Sequence, residues 1–181
     1  MRAAVLLGVA MAVLELAASA QSFERSPSSA KDRQRVVTIA HKMEEKPLDN
    51  GQQSDREWAL KWVIDVPDIH VDLCPEVLGD FTASEYKYRT LITVQLTLSS
   101  AAFLIQHPDK NEDQVAEFTA GVEGVLRAYK SILHSHPRER SPDLDDLMNK
   151  QKSGQLADFI KDAAETCSSE SEPAEDMLRG Y

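Results

Sequence analysis

Two cysteines, Cys74 and Cys167, stand in a chain that opens like an exported one, and this combination restricts the possible folds more than any other feature. Residues 1–20 read MRAAVLLGVAMAVLELAASA: Arg2 as a short basic region, an apolar run from Ala3 to Leu14, then the small residues Ala18, Ser19 and Ala20. This is the pattern of a cleaved secretory signal peptide, with Gln21 as the expected mature N-terminus. The apolar run falls well short of the roughly 20 residues that a membrane-spanning helix needs. An oxidising compartment lets a thiol pair persist as a disulfide, and two cysteines admit only one intramolecular pairing. A bridge from Cys74 to Cys167 closes most of the mature chain into one loop, for which chain entropy alone predicts about 4 to 5 kcal/mol of stabilisation.

Removing residues 1–20 from 181 leaves 161, a length that suits one domain with a single core. The signal carries Arg2 and Glu15, so the mature chain keeps the formal charge of -10. Such a chain repels phosphate backbones and anionic lipid, and no Lys/Arg stripe interleaved with aromatics reverses the local sign. Nucleic acid is therefore not an expected partner.

Periodicity predicts an all-α domain of about six helices over residues 29–167, preceded by a Ser-rich tether at 21–28 and followed by a disordered acidic tail at 168–181. Val36, Val37, Ala40 and Met43 share one face of a first helix, capped by Ser28 or Ser29 and stopped by Pro47. Ser54 and Glu57 form the capping box expected to open a second helix, whose apolar face carries Trp58, Ala59, Trp62, Val63 and Val66. Those neighbours favour core packing for the tryptophans over a role as an exposed aromatic platform. Residues 84–106 carry two patterns at once. Ile92, Val94, Leu96 and Leu98 alternate as in a strand, while Leu91, Val94, Leu98, Ala101, Ala102 and Ile105 form a helical stripe. The only other candidate strand is the five residues IHVDL, and a two-stranded ribbon is marginal, so a long central helix is expected. A fourth helix follows from Asn111 as cap, with Gln114 completing its capping box and an apolar stripe from Val115 to Ile132; Gly121 beside that stripe admits a close helix neighbour. Ser141-Pro142-Asp143 opens a fifth, broken at Ser153-Gly154, and Leu156 to Cys167 marks the last.

Candidate chemistry gathers in WVIDVPDIHVDLCPEVLG, residues 62–79, where Asp65, Asp68, His70, Asp72 and Cys74 crowd together. In an extended segment His70, Asp72 and Cys74 point to one side and can converge on a metal. The mixture of carboxylate and thiolate matches no common ion, however, and the disulfide removes Cys74 from the set. The favoured expectation is a polar corner between helices, its acids solvated and Ile69, Val71 and Leu73 facing inward. His134-Ser135-His136 reads as a solvated helix end. Tyr86 and Tyr88 fall on different helical faces, so one of them should be exposed. No GxSxG, HExxH, Walker or GxGxxG pattern occurs. The chain thus reads as an exported protein, periplasmic or extracellular, that binds a protein or cell-envelope component without catalysis. Asp68, His70, Asp72, Tyr86 and Tyr88 are its candidate binding residues, and no catalytic residue, metal ligand or cofactor is assigned. An envelope hydrolase using acids near 65–72, or a metal-binding periplasmic protein, is the alternative.

Overall fold

A computed structural model describes residues 26–170. The signal peptide, most of the tether and residues 171–181 of the expected tail lie outside these residues. Within them are six α-helices and no strand: α1 (Ala30–Glu45), α2 (Gln53–Asp65), α3 (Arg89–Gln106), α4 (Gln114–Ser135), α5 (Pro142–Ser153) and α6 (Leu156–Glu170). Tight 3-10 segments join some of them, the longest being Pro75–Ala83. The expected all-α domain is therefore what forms, and residues 91–99 are helical. Cys74 and Cys167 are joined by a disulfide, with Cα atoms 5.8 Å apart.

Local chemistry sets most helix ends. Ser29 accepts from the Asp32 amide at 3.0 Å to start α1, and Ser141 accepts from the Leu144 amide at 3.4 Å to start α5 with Pro142 in its first turn. Gly154 ends α5 with φ of 76°, a left-handed conformation that an L side chain resists. Three starts differ from the sequence expectation. Asp49, not Ser54, accepts the first amide ahead of α2, because a short 3-10 turn at Asn50–Gln52 precedes the helix and supplies its first turn. Asp113, not Asn111, caps α4, since Pro108–Lys110 forms its own turn and moves the start to Gln114. The central helix begins at Arg89 rather than Ser84, because residues up to Ala83 belong to the preceding 3-10 segment and Ser84 closes it.

A helical hairpin of α3 and α4 forms the centre of the domain. On one side α1 and α2 cover α3, burying Val36, Val37, Ala40, Met43, Ala59 and Val63 with Leu98, Ala101 and Ala102. On the other side α5, α6 and Pro75–Ala83 pack on α4, around Phe81, Phe118, Val125, Tyr129, Ile132, Leu144 and Ile160. The α3–α4 contact depends on glycine. A Cβ at Gly121 would stand 2.5 Å from Ser100 Oγ, and one at Gly124 only 1.9 Å from Ser99 Oγ. The sequence pointed to Gly121; Gly124 is the tighter of the two.

A polar network lies in this interface. Glu44, 7% exposed, accepts two hydrogen bonds from Arg127, at 2.8 and 2.9 Å, and one from Ser99 Oγ at 3.2 Å. Gln95, fully buried, donates to Ser99 Oγ at 2.8 Å and to the Ala40 carbonyl at 3.3 Å. A buried carboxylate is tolerated only with such partners, so Glu44 fixes the register of α1 against α3 and α4.

Candidate functional site

Pro67 follows the last turn of α2 and turns the chain into an extended segment, residues 66–74, that crosses the domain to Pro75. Its acids are tethers. The carboxylate of Asp68 accepts from the Ser28 amide at 3.0 Å, from Ser28 Oγ at 2.9 Å and from the Arg33 guanidinium at 2.8 Å. Partial burial opposes ionisation of Asp68, but the bonds from Ser28 and Arg33 outweigh it and hold its carboxyl below the ordinary value. Asp72 fastens the other end to α4: its amide donates to Glu117 Oε1 at 2.9 Å, and its carboxylate accepts from Gln114 Nε2 at 2.7 Å.

Glu117 is the buried member of this anchor, 1% exposed on the inner face of α4. Desolvation pushes its carboxyl up to about 7; the Asp72 amide resists the shift and the nearby Asp72 carboxylate adds to it. Sequence reading passed over Glu117, although it stands four residues before Gly121 and so on the same buried face.

Between the tethers, Ile69 is 6% exposed and His70 is exposed. Leu73 departs from expectation. The alternation with Ile69 and Val71 predicts it on the inner side of the corner, yet it is 70% exposed. The cause is Cys74: the disulfide commits it to the interior at 2% exposure, and neighbours in an extended chain point to opposite sides. Ile64 on α2 is similarly open at 68%. These two are the large hydrophobic side chains that stand exposed among the described residues, and both fall in the stretch 62–79.

Tyr86 and Tyr88 precede α3 rather than lying on it, and both are half-buried, so neither is the freely exposed tyrosine that a helical start at Ser84 implied. Their rings meet edge to face at 5.8 Å. Tyr86 also packs against Phe81 and Tyr129 and donates to the Glu139 carbonyl at 3.2 Å, and burial raises its phenol well above the usual range. With Lys87 between them, the two tyrosines separate two open clefts. Tyr88, Leu60, Leu91 and Val94 line a mainly apolar one of about 380 Å³ between α2 and α3, with Arg56 at its edge. Tyr86, Ser84, Arg138 and Asp143 line one of mixed polar and apolar surface, about 390 Å³, at the start of α5. Trp58 and Trp62 stack at 6.3 Å, half-buried against the α1–α3 core, and the Arg35 guanidinium covers Trp58 at 3.8 Å. His134, Ser135 and His136 are all exposed at the end of α4.

The structure does not bring His70, Asp72 and Cys74 together. Among the described residues, the group whose ligand atoms do converge is Cys74, Glu76 and Cys167, all within 4.8 Å of one another. Glu76 was missed, although Pro75 at the head of the 3-10 segment places it in the first turn, two residues from a bridged cysteine. No described helix is long and apolar enough to cross a membrane. No known protein family, curated protein or solved structure matches the chain.

Proposed function

We propose that this is an exported, non-catalytic binding module that meets a protein or cell-envelope partner through the stretch from Ile64 to Leu73. The observation that carries the reading is the pairing of two exposed hydrophobics, Ile64 and Leu73, with a segment held at both ends by Asp68 and Asp72. Single exposed apolar side chains are ordinary. Here one exposed side chain on either side of a tethered stretch, with His70 exposed between them, offers a partner contacts whose ordering cost is already met in the free protein. The signal-like N-terminus and the disulfide support export. The acids of this stretch support binding over hydrolysis, since each has its own neighbour: Asp65 pairs with Lys61, Asp68 with Ser28 and Arg33, Asp72 with Gln114. Acid-base catalysis needs two such groups facing one cleft.

A photo-reactive residue at position 73, introduced into the exported protein in its own cell envelope, tests the contact. One discrete adduct is expected, competed by unlabelled protein, lost on Ile64→Asp and not formed from position 152 on the exposed side of α5. No adduct at 73, or equal adducts at 73 and 152, would remove the proposal. Export has its own readout, because N-terminal sequencing of the secreted product should begin at Gln21.

A further inference from the structure

The mainly apolar cleft of about 380 Å³ between α2 and α3 opens at the seam of the two cores. Tyr88 and Leu91 pack at the edge of one core and Val94 at the edge of the other, while Leu60 belongs to neither. All four are half-buried, so apolar surface from both sides meets a gap that neither helix fills. Gaps between the helices of a bundle are common places for a small ligand.

The charge at the edge of the cleft is unmatched. Arg56 is half-buried, and its guanidinium offers a planar fork of N–H donors, yet it engages only the Pro47 carbonyl, from Nη1 at 3.4 Å. Asp49 is near enough to feel its charge, but that carboxylate accepts from the Gly51 amide at 2.8 Å and from Gln52 Nε2 at 3.4 Å. No described carboxylate forms an ion pair with Arg56, although acids outnumber Lys and Arg by 30 to 20 in the sequence. The other charges on the cleft already have neighbours: Lys87 Nζ donates to Glu139 at 3.0 Å, and Glu57 accepts from Gln53 Nε2 at 2.9 Å.

These features select a ligand with one anionic end and one apolar end. The guanidinium fork matches a carboxylate, and Glu57 on the same rim disfavours a more highly charged head such as phosphate. The volume stands at the low end of the roughly 300–1,000 Å³ of small-molecule sites, which suits one alkyl tail better than a two-chain lipid. Helix backbone groups in the walls are already bonded, so a peptide backbone finds few partners there. We propose that the cleft binds a medium-chain fatty acid, its carboxylate on Arg56 and its tail against Leu60, Leu91 and Val94. No residue from Ile64 to Leu73 lines the cleft, so this site is separate from the proposed partner surface.

The oxidised mature chain is titrated by calorimetry at neutral pH with decanoate kept below its micelle concentration, and wild type should bind one equivalent. Arg56→Gln should weaken binding by about tenfold or more, through loss of the charge-assisted bonds. Arg56→Lys, which keeps the charge without the fork, should fall between the two, and thermal melting checks that both variants are folded. Decanol, a tail without the charge, should bind as weakly to wild type as decanoate does to Arg56→Gln, and acetate, a charge without the tail, should not bind. Methyl NMR locates the ligand: the signals of Leu60, Leu91 and Val94 should shift on adding decanoate, and those of Leu144 and Ile160 should not. No binding, several equivalents taken up equally by wild type and Arg56→Gln, or shifts at Leu144 in place of Leu91 would overturn the proposal. Tighter binding of decyl phosphate, or of a peptide ending in a free leucine carboxylate, would overturn it as well.

Discussion

Glu117 shows how one side chain makes stability depend on pH. Its carboxyl is raised from 4.5 to about 7 by burial, so folding favours the protonated form. That contribution is fully present below about 4.5 and is lost as pH rises through 7, where ionisation costs about 3 kcal/mol. Glu117→Gln keeps a carbonyl oxygen for the Asp72 amide and removes the charge. Urea unfolding at pH 5, 6, 7 and 8 should show wild type losing stability toward pH 8 and the variant changing little, so that the variant is the more stable of the two at pH 8. Parallel curves would show that Glu117 is not desolvated as the structure places it. The carboxyls of Asp49, Asp68 and Asp113 are shifted the other way, and their effects fall below the usual aspartate value, outside this window.

At the scale of the elements, the α3–α4 hairpin is held at a distance that only glycine permits. A methyl group at position 124 would meet Ser99 Oγ at 1.9 Å, Ser99 Cβ at 2.5 Å and Glu44 Oε1 at 2.9 Å, all within a buried polar network. Gly124→Ala should therefore cost about 1–3 kcal/mol despite its better helix propensity, measured as a lowered urea midpoint with unchanged slope. A stabilised Gly124→Ala would mean that the helices sit farther apart. The periodicity of α1, α4, α5 and α6 was legible because apolar spacing and end signals such as Ser29, Ser141 and Gly154 act within a few residues. The starts of α2, α3 and α4 were not, because a 3-10 turn competes for the same amides and the choice depends on packing elsewhere.

For the whole molecule, the Cys74–Cys167 bridge ties the head of the 3-10 segment to the last helix and encloses a loop with a sequence separation of 93. Replacing both cysteines by serine should lower unfolding free energy by about 2–5 kcal/mol, most of it through the unfolded chain. Chemical denaturation of the oxidised protein and of the Cys74→Ser/Cys167→Ser variant measures it, and equal stabilities would show that the bridge contributes nothing to the fold.

The sequence by itself determined the all-helical class, most of the apolar faces and the pairing of the two cysteines, since helical period and cysteine count need no knowledge of neighbours. Only the tertiary structure decided what the corner from Trp62 to Gly79 presents. Asp68 and Asp72 are tethers because Ser28, Arg33, Gln114 and Glu117, 35 to 45 residues away in the chain, arrive beside them. Leu73 faces outward because Cys74 is drawn inward by a partner on α6, and Glu76 meets both sulfurs for the same reason. Spacing along a chain reports which residues share a local face. Which groups meet across elements depends on packing distances between helices, and those are set by side chains far apart in sequence.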